Sequence, residues 1–209
     1  MKLILISPSK PKDSEIPLLL HMFEEGLPTY HLRKTKFSTR ELKQFISDIP
    51  QKYHERIVLH THHELAIKFH LKGIYITRSH KKNKVRLWLK KKWFKFRNNK
   101  IQITTTFRYA GKLYEKNLRY NYVFISPVFD SPSGKSQAGF TENNLRPFLQ
   151  KTKYKVIARG GVSIDKIQKA HEMGFAGMAF DTAIWKTENP LQEFLKVKEK
   201  FAELNLPIE

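Results

Sequence analysis

The sequence predicts an α/β chain folded as a single (β/α)8 TIM barrel spanning residues 1–209. Two observations carry that prediction. Eight short β-branched or apolar runs alternate with segments of helical period, and no Pro/Gly/Ser-rich linker, solenoid repeat or low-complexity tract divides the chain. An open doubly wound sheet usually needs about five or six strands, so eight βα units in one short chain favour closure.

In order, the strands are expected at Lys2–Ser7, Thr29–Arg33, Arg56–His60, Gly73–Thr77, Ile101–Thr106, Tyr122–Ser126, Tyr154–Ala158 and Gly177–Asp181. The intervening helices are expected at Glu15–Glu25, Thr39–Asp48, His63–His70, Lys84–Arg97, Ala110–Asn117, Glu142–Lys151, Ile164–Met173 and Pro190–Leu204. Ser38 with Glu41 forms a capping box at the start of the second helix, and Thr141 and Ser163 stand where N-caps belong.

Composition narrows the function classes. Apolar residues make up 40 % of the chain and aromatics 12 %, too many for a disordered segment. No run approaches the roughly 20 apolar residues of a membrane span, and the opening Met1–Pro8 is too short for a signal-peptide core. Cysteine is absent, which removes disulfide scaffolds, thiolate metal sites and cysteine nucleophiles, and a cytoplasmic location is the expectation. The net charge of +20 is concentrated: from Leu65 to Tyr114 there are 15 Lys and Arg and no acidic residue.

Barrel chemistry gathers at the carboxyl ends of the strands, which here carry His31, Arg33, His60, Thr61, Thr77, His80, Thr106, Pro127, Asp130, Gly160, Gly161, Asp181 and Thr182. Gly160-Gly161 after the seventh strand and Asp181-Thr182 after the eighth occupy the loops where barrels commonly hold a phosphate on backbone N–H groups. The loop after the sixth strand carries Ser131, Ser133 and Lys135, two hydroxyls and a cation that can close over an anion.

The order of these motifs resembles the thiamine phosphate synthase / TenI superfamily from Lys2 to about Trp185. His31-Leu32-Arg33-Lys34 followed by Phe37–Leu42 resembles its Q-L-R-x-K segment and helix. Tyr122–Phe129 resembles Y-V-F-L-G-P-V-F, Ser131-Pro132-Ser133 resembles T-P-T, and Val156–Val162 with Gly174–Ala179 resembles V-A-I-G-G-I and G-A-D-G-V-A. The resemblance implies thiamine biosynthesis, in which an alkyl-transferring enzyme joins a pyrimidine diphosphate to a thiazole phosphate and releases pyrophosphate. It implies Arg33, Thr106 and Lys135 as catalytic residues. Ser131, Ser133, Gly160, Gly161, Asp181 and Thr182 are implied to bind substrate, and His31 and His60, read from their place at the strand ends, are expected to bind it as pocket-lining groups facing an anion. A TenI-type thiazole isomerase or a non-catalytic phosphate-ligand-binding protein is the alternative.

The family uses Mg2+, but its Asn-Asp after the third strand is His60-Thr61 here and its Asp after the fourth falls at or near His80. No metal cofactor is therefore expected, since a hard cation wants oxygen ligands. His31 replaces the motif's Gln, Thr35 stands where its lysine belongs, and Pro127 occupies the position of the TenI-type histidine. The expected partners are phosphorylated thiazole and pyrimidine molecules, with no membrane; a homo-oligomer is compatible with the sequence.

The remaining features are read plainly. Four imidazoles at the mouth (His31, His60, His62 and His80) could suit zinc, but without ligand spacing or a carboxylate the simpler reading is that His31 and His60 line a polar pocket. His62, His63 and His70 are read as helix-surface residues. Lys81–Lys100 holds ten basic residues, and its apolar positions fall at helical spacing. They predict a barrel helix with Trp88, Leu89, Trp93 and Phe96 buried and Lys90, Lys91 and Lys95 exposed. An RNA-binding or anionic-surface-binding face is the remote alternative.

Overall fold

The computed structural model describes residues 1–8, 10, 12–114, 120–130 and 142–209. Its parallel strands follow chain order: β1 (Lys2–Ile6), β2 (Tyr30–Leu32), β3 (Ile57–Leu59), β4 (Gly73–Ile76), β5 (Gln102–Phe107), β6 (Tyr122–Ile125), β7 (Val156–Arg159) and β8 (Gly177–Phe180). β8 returns to pair with β1, closing the barrel. Around it lie α1 (Glu15–Glu24), α2 (Thr39–Ser47), α3 (Glu64–Lys68), α4 (Lys84–Arg97), α5 (Glu142–Lys151), α6 (Ile167–Met173), α7 (Thr182–Trp185) and α8 (Pro190–Glu203). Among the described residues no helix is long and apolar enough to cross a membrane.

Period-two alternation divides each strand between two cores. Ile4, Ile6, Val58, Tyr75, Tyr122, Phe124, Ile157 and Ala179 pack together inside the barrel. Their neighbours, such as Leu3, Leu5, Tyr30, Leu32, Ile57 and Leu59, join the larger apolar layer beneath the helices. The barrel closes tightly at its seam. Gly177 pairs with Lys2, and a Cβ there would lie 2.4 Å from the Lys2 carbonyl oxygen and 2.9 Å from Ile157 Cδ1.

Local signals account for most helix boundaries. The capping box at α2 is present: Ser38 Oγ accepts from the Glu41 N–H while the Glu41 carboxylate accepts from the Ser38 N–H. Ser163 departs from its expected role. Its hydroxyl bonds to the Asp165 carboxylate, and a 3-10 turn over Ile164–Lys166 precedes α6. The fifth expected helix is a 3-10 turn over Ala110–Tyr114, and its continuation, residues 115–119, lies outside the described residues, as does Thr141. α7 is an additional turn of helix directly after β8.

α4 overturns the expected burial. Phe94 is its buried residue and Leu87 is partly buried, whereas Val85, Trp88, Leu89, Trp93 and Phe96 are 46 to 88 % exposed. Lys95 is exposed as expected, but Lys90 and Lys91 are half-buried. The physical reason is that the helix has two possible packing faces, and the one used runs through Leu87, Lys90, Lys91 and Phe94. Two lysine stems supply apolar cover there, Lys91 Nζ lying 4.0 Å from the centre of the Tyr120 ring and Lys90 Nζ 6.0 Å from that of Phe94. His63, expected on the surface, is buried beneath this face, 4.7 Å from the His80 ring and 6.3 Å from Phe94 between centroids.

Two predictions come from this packing. Gly177→Ala should overfill the seam, destabilising the fold by about 1–3 kcal/mol in denaturant titration. The second concerns acid. Burial first, then Lys90 and His80, lowers the His63 pKa to about 3, so the unfolded chain takes up a proton while the folded chain does not. Stability is therefore full above roughly pH 6.5 and falls as the pH drops toward about 3, by an amount of the order of a few kcal/mol. His63→Gln should flatten that limb of the stability profile, as measured by chemical denaturation at stepped pH.

Candidate active site

The inward rows of the barrel converge on a buried histidine. His31, in the middle of β2, is fully buried, and both its ring nitrogens are engaged: Nδ1 lies 3.0 Å from His60 Nε2, and Nε2 lies 2.6 Å from the Tyr122 hydroxyl. The phenol decides the direction of the chain. Tyr122 is buried, which raises its pKa, so its hydroxyl keeps its proton and donates it to His31 Nε2. His31 then carries its proton on Nδ1 and donates to His60 Nε2, which leaves His60 protonated on Nδ1. Burial lowers both imidazole pKa values well below the usual range, with Arg159 adding to the effect on each. Both rings are neutral at pH 7.

His60 follows β3 and stacks on Tyr75 of β4 with centroids 4.1 Å apart and planes inclined by 12°. The Tyr75 hydroxyl donates to Thr106 Oγ1 at 2.7 Å. Thr106 thus stands on β5 at the end of a relay of oriented groups that runs from Tyr122 through His31, His60 and Tyr75.

Above this layer the mouth is strongly charged. Arg33 follows β2, with its backbone N–H held by Ser7 Oγ at 2.9 Å. Arg159 ends β7, 6.0 Å from the centre of the Phe124 ring. Asp181 follows β8. Burial pushes its carboxyl pKa up, against the pull of Arg33 and Arg159. Two guanidiniums and one carboxylate therefore share one small region above neutral rings.

Gly160 and Gly161 take positive φ values of 83° and 67°. A Cβ on Gly161 would lie 2.2 Å from the Phe129 carbonyl oxygen and 2.5 Å from that of Asp130. The pair therefore seats the backbone that follows β6, tied by Val128 N–H to Arg159 O at 3.0 Å and Phe129 N–H to Gly160 O at 3.1 Å. Thr182 opens α7 at the exposed rim. Ser131, Ser133 and Lys135 lie outside the described residues.

His31, His60 and Thr106 are thus joined through their neighbours, and Arg33, Asp181, Gly160 and Gly161 surround the same opening. The sequence reading missed Tyr75, Tyr122 and Arg159. Each was legible as a period-two neighbour: Tyr75 lies two residues before Thr77, Tyr122 two before Phe124, and Arg159 two after Ile157. Lys34 has a different use. It is buried in an ion pair with Glu15 at 2.5 Å, and the Tyr30 hydroxyl donates to the other Glu15 oxygen at 2.7 Å, so this lysine fastens α1 to β2.

Comparison with known proteins gives the family of this chain. The model of the thiamine monophosphate synthase family matches residues 3–184. The chain belongs to that family. A crystal structure of thiamine phosphate pyrophosphorylase from Bacteroides thetaiotaomicron is similar at 26 % identity, with 98 % of each chain covered and a TM-score of 0.78. Thiamine phosphate pyrophosphorylase from Pyrococcus furiosus shares the fold at 18 % identity over 97 % of this chain and 96 % of the other, with a TM-score of 0.76. Thiamine-phosphate synthase from Clostridium botulinum (strain Eklund 17B / Type B) is 26 % identical over 85 residues, which cover 41 % of this chain and 40 % of the relative's length. Arg159, directly before Gly160-Gly161, places a cation at the mouth.

The donors at the ends of β3 and β4 do not fit Mg2+. His60, Thr61, Thr77 and His80 include no carboxylate, and Thr77 Oγ1 is already within 2.8 Å of both Ser79 Oγ and His80 Nδ1. Among the described residues no three His, Cys, Asp or Glu side chains form a metal-holding group.

The glycine pair yields a direct prediction. Gly161→Ala should displace the Phe129–Asp130 backbone and weaken phosphate-ligand binding at least about tenfold by calorimetry, with a smaller effect on overall stability.

Proposed function

We propose that this chain joins a pyrimidine diphosphate to a thiazole phosphate and releases pyrophosphate. The observation that carries the reading is the pair of guanidiniums, Arg33 and Arg159, standing near the carboxylate of Asp181 at the mouth of a family barrel.

In this reading the C–O bond between the pyrimidine methylene and the diphosphate breaks, and the bonding pair leaves with the diphosphate. The methylene carries the resulting positive charge, which the thiazole nitrogen lone pair captures as the new C–N bond. Arg33 meets the departing anion, and Arg159 stands beside it. Fixed cations stabilise developing negative charge without having to reorganise. Gly160-Gly161 and Asp181-Thr182 take the thiazole phosphate. Thr106, held by Tyr75, and His60, held neutral by burial, orient the pyrimidine. His31 acts through His60, because both its nitrogens are already engaged.

Since the donor set does not suit Mg2+, no step is assigned to it. The test is to incubate the protein with hydroxymethylpyrimidine diphosphate and thiazole phosphate and to assay thiamine phosphate, with and without Mg2+. Turnover that persists without the metal is expected, and Arg159→Ile should lower kcat/KM at least about 100-fold. Turnover that requires Mg2+ and survives Arg159→Ile would overturn the charge assignment. Failure of thiazole phosphate to bind at millimolar concentration would overturn the substrate assignment.

A further inference from the structure

α4 presents an apolar stripe to solvent on the side opposite its packing face. At roughly 100° per residue, Val85, Trp88, Leu89, Trp93 and Phe96 fall within an arc of about 140°, diametrically across from Leu87 and Phe94. All five are exposed, Phe96 by 88 %. Basic residues border the stripe on both sides: Arg86 and Arg97 on one edge, Lys84 and Lys95 on the other, with Lys92 inside it. The helix is about 21 Å long and lies in the acid-free quarter of the chain.

We propose that the outer face of α4 docks this protein onto an anionic lipid surface, with Val85, Trp88, Leu89, Trp93 and Phe96 entering the boundary between headgroups and acyl chains and Lys84, Arg86, Lys92 and Arg97 meeting the lipid phosphates. An aromatic and aliphatic keel between rows of cations is the pattern of an interfacial helix that lies in the membrane plane. Long basic side chains let the keel sink while their heads stay at phosphate level. Such docking is peripheral and needs no membrane-crossing segment.

Charge decides against a second copy of the chain as the occupant, because two such faces would bring two clusters of cations together with no acid between them. Shape decides against single-stranded nucleic acid, which is held in a basic groove with ring faces open for stacking. The α4 stripe is convex, and two of its apolar positions, Val85 and Leu89, offer no ring. A cation already lies over each indole, Lys92 4.0 Å from the Trp88 ring centre and Arg97 5.9 Å from that of Trp93.

The experiment uses the full chain with unilamellar vesicles of phosphatidylcholine alone or with 30 mol % phosphatidylglycerol. The chain has three tryptophans, and Trp185 is buried, so a shift in emission on binding reports Trp88 and Trp93. Expected are co-sedimentation and a blue shift with the anionic vesicles, both weakened by salt, and little binding to phosphatidylcholine alone. Leu89→Ser with Phe96→Ser keeps both reporter indoles and changes only exposed side chains. It should lower partitioning at least about tenfold while leaving the thermal midpoint unchanged. Arg86→Gln with Lys92→Gln should abolish the preference for anionic lipid. The proposal is overturned if anionic vesicles leave the chain in the supernatant at low salt or if the Leu89/Phe96 variant partitions equally. It is also overturned if poly(U) at equal phosphate strips the protein from the vesicles, or if the wild-type chain is a dimer that this variant dissociates.

Discussion

The imidazole of His31 constrains everything above it. A closed barrel of short parallel strands must fill its own interior, and a polar ring buried there is tolerated only when every polar atom is paired. His31 meets that condition through Tyr122 below and His60 beside it. Once His60 is fixed, its ring stacks on Tyr75, and Tyr75 in turn is aimed at Thr106. Two hydrogen-bonded pieces, Tyr122–His31–His60 and Tyr75–Thr106, joined by the His60–Tyr75 ring stack, therefore pass orientation from the barrel floor to the mouth. Fixing these rings removes conformational freedom from His60 and Thr106, which face substrate in the proposed reaction, and that is the condition for a preorganised site.

The same chain keeps further positive charge away from two guanidiniums whose burial and mutual repulsion already disfavour the charge on Arg159. Burial keeps His31 and His60 neutral, and the nearby arginines push in the same direction. The imidazoles thus add no charge where Arg33 and Arg159 already stand. Asp181 is the local counter-charge, and its raised pKa reflects incomplete compensation for burial. An incoming phosphate or diphosphate supplies the negative charge that this arrangement lacks, so the geometry favours anionic ligands irrespective of which reaction follows.

Much of the fold was legible because it is written in periods and turn residues. The eight strands, the α2 capping box and the glycine pair each follow from a local rule with few alternatives. The site was legible only at the strand ends. Tyr75 and Tyr122 lie one layer deeper, and they, like Arg159 at the end of β7, are recognised when the inward register is carried along each strand. α4 shows where the rules run out. Its sequence is amphipathic about two different axes, and helical spacing alone does not say whether Phe94 or the Trp88–Phe96 stripe meets the barrel. Nor does spacing reveal that Lys90 and Lys91 can cover the packed side with their stems. His63 was misplaced because the packed face of α4, through Phe94, covers it, and nothing in its own segment shows that cover.

The two concentrations of positive charge therefore differ in kind. At the mouth, the cations stand partly buried around Asp181 on strands that the barrel holds rigid, and their field is focused by low-dielectric walls onto a ligand of small size. On α4, the cations stand in water beside exposed rings, where screening limits each to a weak and salt-sensitive attraction. A single phosphate would gain little there, but a surface bearing many phosphates could engage several cations together and offer the apolar stripe somewhere to go. The barrel thus separates a site suited to one anion from a face suited to a sheet of them, and α4 can carry the second because its packing depends on the opposite side of the helix.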